Sequence, residues 1–226
     1  MAQKKSISGE KIQLKRVRLS FPTLHKADVP KGYDNAEPKF SANFLLDPKD
    51  PGHKALLKHI KAEMSGLIKK AWPAGKPPKF KPIDCFGKGE GFTNNTTKQP
   101  YEGYEGMYVV AANNKKRPTL IDRDKTPLTP DEVEQRMYAG CYVDAFINFW
   151  IQDNQFGEAI RCSLQAVRFR EDGEEFGAGG VDPDEFDDLD DGELADELDD
   201  DDDLDDLDDL DDDDMDDLDD LDDLDD

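Results

Sequence analysis

The sequence predicts a mainly β protein: a small five-stranded antiparallel barrel with one long and one short helix, followed by a disordered acidic tail. Three observations support this prediction. Five or six short segments have the alternating apolar pattern of strands. A single long segment has helical spacing, so a run of βαβ units is not expected. The last 46 residues, 181–226, contain 31 Asp and Glu and no Lys or Arg.

The acidic tail determines the formal net charge of −25. All 29 Lys and Arg lie in residues 1–180, where 23 Asp and Glu remain, so this part carries +6. Many tail leucines are three residues apart, which is about 60° short of a helical turn and gives no apolar stripe. Dense aspartates also repel one another, so we expect disorder. A basic domain attracts polyanions, and a tethered acidic tail competes for the same surface.

The first half of the chain contains two predicted strands and the long helix. Residues 1–11 are expected to form a basic arm. Residues 12–21 alternate as a strand, and a phase slip at Lys15 and Arg16 predicts a β-bulge. Residues 22–38 lack periodicity and predict a loop, whereas residues 39–46 predict a second strand. Apolar residues at helical spacing predict an amphipathic helix over residues 53–71.

The second half of the chain contains most of the predicted strands. Residues 72–82 are rich in Pro and Lys, and the glycines of residues 87–91 predict a flexible loop. Strands over residues 106–112 and 118–122 flank a basic turn. Thr129 and Glu132 form a capping box, with Pro130 at the first position of a short helix that ends near residue 138. Residues 142–152 and 158–170 predict a long hairpin.

The sequence has little sign of a metal site or of catalysis. His53 and His59 are six residues apart, about 240° around a helix, and do not form a metal-binding pair. The glycine loop lacks the GK[ST] ending of a nucleotide-binding loop, and no nucleophile motif is present. We therefore expect a protein that is not an enzyme and has no cofactor and no metal.

The cysteines and the hydropathy indicate a cytoplasmic protein. Cys85, Cys141 and Cys162 are odd in number and form no CxxC pair, which indicates small buried side chains in a reducing compartment. No apolar run approaches the ~18 residues of a membrane span, and the lysine-bearing start lacks the apolar core of a signal peptide.

Basic residues recur beside aromatic ones along the chain. Single-stranded nucleic acid needs this mixture, because phosphates bind cations and unstacked bases bind aromatic faces. Strand alternation assigns Phe21, Phe44, Phe146 and Trp150 to the core. The candidates for phosphate binding are Arg16, Arg18, Lys39, Lys79, Lys81, Lys88, Lys115, Lys116 and Arg117. The candidates for base stacking are Trp72, Phe80, Tyr101 and Tyr104.

Several segments resemble the single-stranded DNA-binding proteins of tailed bacteriophages. They are RVRLSFPTLHKA (16–27), KFSANFLLDPKD (39–50), RPTLIDRD (117–124), YAGCYVDAFINFW (138–150) and GEAIRCSLQAVRFREDGE (157–174). The resemblance implies an OB-fold barrel that coats single-stranded DNA during phage replication, recombination and repair. An acidic C-terminal tail is a recurring feature of such proteins, and we expect this tail to recruit replication or recombination proteins. Related tails often end in an apolar tip, whereas this chain ends in Leu224, Asp225 and Asp226.

The sequence therefore predicts an arm (residues 1–11), an OB-fold domain that binds single-stranded DNA (12–175) and the tail (176–226). Two other functions stay open. In the first alternative, the protein is an adaptor or polyanion mimic that acts through its tail. In the second, the barrel binds RNA, and RNA recognition differs from DNA recognition by contacts to the 2′-hydroxyl groups. The oligomeric state also stays open, and a homo-oligomer is one alternative.

Overall fold

The computed structural model describes residues 7–29, 36–77, 79–81, 83–94, 96–154 and 157–177. Most of the predicted disordered tail (residues 176–226) and most of the predicted basic arm lie outside these residues. The described part forms one seven-stranded sheet with two α-helices. In chain order the elements are β1 (Ser8–Asp28), β2 (Lys39–Leu46), α1 (Pro51–Ala71), β3 (Phe86–Lys88), β4 (Tyr108–Asn114), β5 (Thr119–Ile121), α2 (Pro130–Arg136), β6 (Tyr142–Asn154) and β7 (Gly157–Glu171).

Five strands close into a barrel in the order β1, β2, β4, β7, β6 and back to β1. Neighbouring strands are antiparallel except β4 and β7, which meet in parallel at Asn113 and Ser163. A ring with an odd number of strands cannot alternate in direction at every step, so its closure requires one parallel contact. The five-stranded barrel is confirmed, and its strand order is that of an OB fold.

Strand β1 bends twice and so serves both sides of the barrel. Its first part pairs with β6 and its later part with β2. The pairing with β6 shifts between Leu14 and Val17, where Arg16 has a φ of 51°. This confirms the predicted β-bulge. A second shift, between Ser20 and Thr23, accompanies a φ of 45° at Phe21.

Helix α1 begins and ends at sequence signals. The side chain of Asp50 accepts a hydrogen bond from the backbone N–H of His53 at 2.9 Å, and Pro51 occupies the first turn. Pro73 follows the C-terminal cap residue, Trp72, and cannot continue the helix. The buried face of α1 packs on the barrel core through Leu57, Ile60, Met64 and Leu67.

The short helix α2 has the predicted capping box. The Thr129 hydroxyl accepts from the backbone N–H of Glu132, and the Glu132 carboxylate accepts from the backbone N–H of Thr129. The helix ends at Arg136, slightly before the predicted end. Its buried residue, Val133, belongs to the main core cluster.

The structure corrects two predicted loops. Residues 22–38 were expected to form a loop, but β1 continues to Asp28. Pro22 is tolerated because it lies in the irregular step between Ser20 and Thr23, where the pairing with β2 is interrupted. The predicted flexible glycine loop is also wrong: residues 86–88 form β3, and Gly89–Gly91 form a 3-10 turn.

The aromatic residues assigned to the core divide into two groups. Phe44 is fully buried as expected, whereas Phe21 is 50% exposed, Phe146 is 37% exposed and Trp150 is half-buried. In β6 the alternating set that includes Phe146 and Trp150 also contains Asp144, Asn148 and Gln152, and the structure buries the other set, which is apolar from Val143 to Ile151. The residues of that set are Val143, Ala145, Ile147, Phe149 and Ile151.

Candidate nucleic-acid interface

The outward surface of β2 and β4 has a floor of small side chains. Ser41 faces Asn113 across the two strands, and Asn43 faces Ala111. These residues alternate with Ala42, Phe44, Val110 and Ala112, which point into the core. We call the surface formed by Ser41, Asn43, Ala111 and Asn113 the outer face. All four side chains are short, and none is aromatic.

An aromatic cluster borders the outer face. Its members are Phe21, Phe92, Tyr101, Tyr104 and Phe176, and it covers the outward side chains of Leu45 and Val109. The rings of Phe21 and Tyr101 meet edge to face at a centroid distance of 4.6 Å. Phe21 is half exposed, so one side of its ring is available to a base.

Tyr104 is the buried centre of this cluster, with no exposed surface. Its hydroxyl accepts a hydrogen bond from Nδ2 of Asn43 at 2.9 Å and donates to Oγ of Ser20 at 3.1 Å. Burial raises the pKa of the phenol, and this effect outweighs the lowering by those two hydrogen bonds. Tyr104 was predicted to stack on bases, but here it is neutral and supports Phe21 and Tyr101 from below.

The turn at Gly89 holds the segment that carries Tyr104. The backbone N–H of Gly89 donates to the carbonyl of Met107 at 2.8 Å. A Cβ at Gly89 would lie 1.8 Å from the carbonyl oxygen of Tyr104, so only glycine fits. This explains why the predicted mobile loop is packed. Lys88, just before the turn, is exposed opposite Tyr108 on β4.

Four of the predicted phosphate ligands lie at one end of the outer face. Lys39 starts β2 on the same side as Ser41, and Lys115, Lys116 and Arg117 follow β4 directly. The last three side chains are exposed. Lys115 forms an ion pair with Glu37, which neutralises part of its charge. We call these four residues the basic rim.

Arg16 and Arg18 lie elsewhere, on β1 beside Tyr142. The guanidinium of Arg16 is 5.0 Å from the Tyr142 ring centroid, and its Nε donates to Oε1 of Glu171 at 2.7 Å. Arg18 donates through Nε to the carbonyl of Gly140 at 3.1 Å. Its guanidinium lies over two rings, 5.7 Å from the centroid of Tyr142 and 4.2 Å from that of Phe176. Arg18 therefore connects Tyr142 to the aromatic cluster.

The remaining candidates form a separate group at the start of β7. Trp72 and Phe80 meet edge to face at 5.3 Å, and both are half-buried. Phe80 pairs with Glu158, and the backbone N–H of Lys81 donates to the Glu158 carbonyl at 2.8 Å. Lys79 and Lys81 are exposed. The structure thus distributes the predicted site residues over several surfaces.

Phe21 is the residue that sequence reasoning missed at this site. Alternation with Leu19 placed it inside the barrel, but its positive φ turns the ring outward. No glycine or Asn marks this backbone conformation in the sequence. Phe92 and Phe176 were not singled out either, because their contacts with Tyr104 and Arg18 depend on the fold.

The described residues contain no group of three His, Cys, Asp or Glu that could hold a metal ion. Both ring nitrogens of His53 hydrogen bond to the backbone, to Asp47 N–H at 3.1 Å and to the Lys15 carbonyl at 3.1 Å. The three cysteines are free and buried, which confirms their predicted role as small core side chains. Burial raises the pKa of Cys85 and of Cys141 to about 12, so these thiols stay protonated. No helix in the described part is both long and apolar enough to cross a bilayer.

Comparisons with known proteins agree with this architecture. The family model described as the single-stranded DNA-binding protein of Enterobacter phage Enc34 matches residues 10–202. Putative protein p50 of Acyrthosiphon pisum secondary endosymbiont phage 1 is 36% identical over 178 residues, which cover 78% of this chain and 92% of that protein.

Solved structures of the bacteriophage Enc34 single-stranded DNA-binding protein are also similar. The complex with single-stranded DNA superposes with a TM-score of 0.60 at 27% identity, covering 77% of this chain and 100% of that chain. A second structure of the Enc34 protein gives a TM-score of 0.59 at 27% identity, covering 80% of this chain and 98% of that chain. The resemblance noted in the sequence is thereby confirmed. The chain belongs to the Enc34 family of phage single-stranded DNA-binding proteins.

Proposed function

We propose that the chain binds single-stranded DNA without sequence preference, along the outer face. The observation that carries the proposal is the combination of three features on one side of the barrel: the small polar floor, the exposed ring of Phe21 and the basic rim. A relative at 27% identity was solved in complex with single-stranded DNA, which supports the same ligand here.

Each feature has a separate role in this proposal. The cations of the basic rim neutralise phosphates, with Lys39, Lys116 and Arg117 contributing most because Lys115 is paired with Glu37. Phe21 and Tyr101 stack against bases, and stacking accepts any base because every base has an aromatic face. The amides of Asn43 and Asn113 offer both donors and acceptors to base edges.

The proposal extends to the cellular role of the barrel and of the acidic tail. The protein coats single-stranded DNA during phage replication, recombination and repair, without catalysing a reaction, and the three free cysteines suit a reducing host cytoplasm. The acidic tail competes with DNA for the basic surface and recruits partner proteins, which its 31 acidic residues support. A variant that ends at Gly177 should then bind oligothymidine more tightly than the full chain.

The salt dependence of binding tests the proposal. If all four rim cations neutralise phosphates, log affinity should fall against log salt with a slope of about −3, at about −0.7 per phosphate on single strands. Fluorescence anisotropy of a labelled oligothymidine with the full chain measures this slope. The variant K39A/K116A/R117A should bind more weakly, and its slope should be shallower by about 2.

A matched control removes the same charge elsewhere. Lys54, Lys58 and Lys70 are exposed on α1 and belong to neither the outer face nor the basic rim, so K54A/K58A/K70A should leave the slope almost unchanged. If both triple variants lose the same slope, only the net charge matters and the outer face is not the site. Tighter binding to an RNA oligonucleotide than to DNA would favour the RNA-binding barrel.

A further inference from the structure

Two large apolar side chains are exposed in the described part of the chain, Phe21 and Phe146. Phe21 belongs to the aromatic cluster beside the outer face, whereas Phe146 lies on a different side of the barrel. It projects from β6 between Gln13 of β1 and Ala166 of β7. The amine of Lys11 lies 5.7 Å from the centroid of its ring. This combination of an exposed ring and a cation has no role in the function proposed above.

Asp144, two residues before Phe146 on β6, holds a fixed pair of guanidinium groups. Asp144 precedes Phe146 by two residues, about 7 Å along the same side of the strand. Its side chain is only 4% exposed, and its Oδ1 accepts from the backbone N–H of Arg16 at 2.9 Å and from Nη1 of Arg170 at 3.1 Å. Its Oδ2 accepts from Nε of Arg168 at 3.1 Å. Asp144 thus holds both arginines in one arrangement.

The two arginines keep unused hydrogen-bond donors. Their side chains are 32% and 41% exposed. Among the described residues, Nη1 of Arg168 and Nε and Nη2 of Arg170 have no hydrogen-bond partner. One carboxylate holds two guanidinium groups, so the cluster keeps a charge of +1. A planar guanidinium with free N–H groups is suited to phosphate oxygens, and its fixed position lowers the entropy lost on binding.

We propose that Lys11, Asp144, Phe146, Arg168 and Arg170 form a second contact surface for the same DNA strand. We call it the β6–β7 face. Arg168, Arg170 and Lys11 bind phosphates, Phe146 stacks on a base, and Asp144 is a positioning residue that does not touch DNA. The inference rests on the proposed function, because it assigns a further segment of the strand bound at the outer face.

A continuous row of side chains connects the two surfaces. Arg16, whose N–H is bound by Asp144, also lies over Tyr142. Arg18 lies over both Tyr142 and Phe176, and Phe176 belongs to the aromatic cluster beside the outer face. A strand that leaves the outer face therefore follows cations and rings around β1 to Phe146. Charge complementarity favours a nucleic-acid backbone over the barrel of a second copy, because residues 1–180 carry +6.

Oligonucleotides of two lengths test the β6–β7 face in the full chain. A single OB fold covers about 4 to 16 nucleotides, so an oligothymidine of about 5 fits one surface and one of about 16 reaches both. F146A should weaken binding of the longer strand about tenfold, as expected for loss of a stacked base, and leave the shorter one unchanged. R170A should make the salt slope shallower by about 0.7 for the longer strand only.

Three further variants test whether the effect of F146A comes from the loss of its ring at this face. F146Y should retain the affinity for the longer strand, because its ring still stacks. K11A, at an exposed position, should weaken binding of the longer oligothymidine in the same way as F146A. Circular dichroism checks that each variant is folded. K58A on α1 is the matched control and should change neither length.

Three outcomes would overturn the inference. Unchanged binding of the longer strand by F146A and K11A shows that the face does not contact DNA. Equal losses for both lengths show that Phe146 acts through the outer face. A change in sedimentation of F146A without a change in DNA binding identifies an interface between copies of the chain. If the wild-type chain binds neither length, the proposed function itself fails, which is distinguishable from these outcomes.

Discussion

Phe21 occupies a backbone conformation that favours glycine, and its replacement separates stability from binding. Its φ is 45°, which costs a residue with a Cβ about 1–2 kcal/mol. We therefore expect F21G to be more stable than F21A, by about 1 kcal/mol. In ordinary strand positions the order is reversed, because glycine is less stable than alanine by about 0.5–1 kcal/mol.

The loss of the ring itself should lower the free energy of unfolding by about 2–4 kcal/mol. Burying a whole Phe side chain contributes about 1.5–3 kcal/mol, and Phe21 is half exposed, so about 1 kcal/mol is lost. Its edge contacts with Tyr101 and Tyr104 contribute about 0.5–1.5 kcal/mol each. The relieved backbone strain offsets roughly half of this total in F21G. The glycine variant should therefore unfold within about 2 kcal/mol of the wild type.

The affinity for oligothymidine should fall by the same factor in F21G and F21A. A stacked base contributes about 1–3 kcal/mol, which corresponds to a loss of roughly 5- to 150-fold in affinity for oligothymidine. Urea denaturation measures the free energy of unfolding, and fluorescence anisotropy at fixed salt measures binding. F21Y keeps a ring and is the matched control, so it should bind nearly as well as the wild type.

Either half of this reasoning can be refuted separately. If F21A is as stable as F21G or more stable, the left-handed backbone at Phe21 does not carry the expected strain. If F21G and F21A bind oligothymidine as tightly as the wild type, Phe21 does not stack on a base. Affinity that falls only in proportion to unfolding would show that the ring supports the fold alone.

Two further substitutions test the polar contacts of the barrel. Y104F removes the hydroxyl between Ser20 and Asn43 and should lower the free energy of unfolding in urea by about 1–3 kcal/mol, with little change in DNA affinity because Tyr104 is buried. Burial alone would raise the pKa of Asp144. The hydrogen bonds from Arg168, the Arg16 N–H and Arg170 together lower this pKa by more than burial raises it, so the net shift is downward. Its contribution to stability is therefore present above an unfolded pKa of about 3.9 and is lost as pH falls through the folded value. The stability difference between wild type and D144N, measured by urea denaturation, should be constant near neutral pH and shrink below about pH 4; a constant difference down to pH 2 would contradict this.

The elements with strong local signals could be predicted from the sequence. Strand β2 has the predicted bounds, and α2 has the capping box because Thr129 and Glu132 satisfy each other's backbone N–H groups. The β-bulge near Arg16 was visible as a phase slip, because an extra residue shifts the alternation. Each of these features depends on residues that are close together in the sequence, so it can be predicted without knowing the tertiary contacts.

The candidate site depends on contacts that sequence spacing does not encode. Tyr104 was expected to bind bases, but the distant residues Ser20 and Asn43 hold its hydroxyl inside the cluster. Phe146 was expected inside, but its side of β6 also contains Asp144 and Asn148, and the barrel buries the apolar side that includes Phe149. The alternation along β6 contained this signal, whereas the partners of Tyr104 depend on which strands become neighbours.

The two bends of β1 relate the barrel to both candidate surfaces. Among the described residues, Arg16 and Phe21 are the only non-glycine residues with positive φ that lie within a strand. The first bend points the Arg16 N–H at Asp144, which fixes Arg168 and Arg170, and the second turns Phe21 outward beside Tyr101. Strained backbone persists where the surroundings hold it, and it is frequent at functional sites. One bend interrupts the pairing of β1 with β6 and the other its pairing with β2, so each bend sets the position of one of the two proposed contact surfaces.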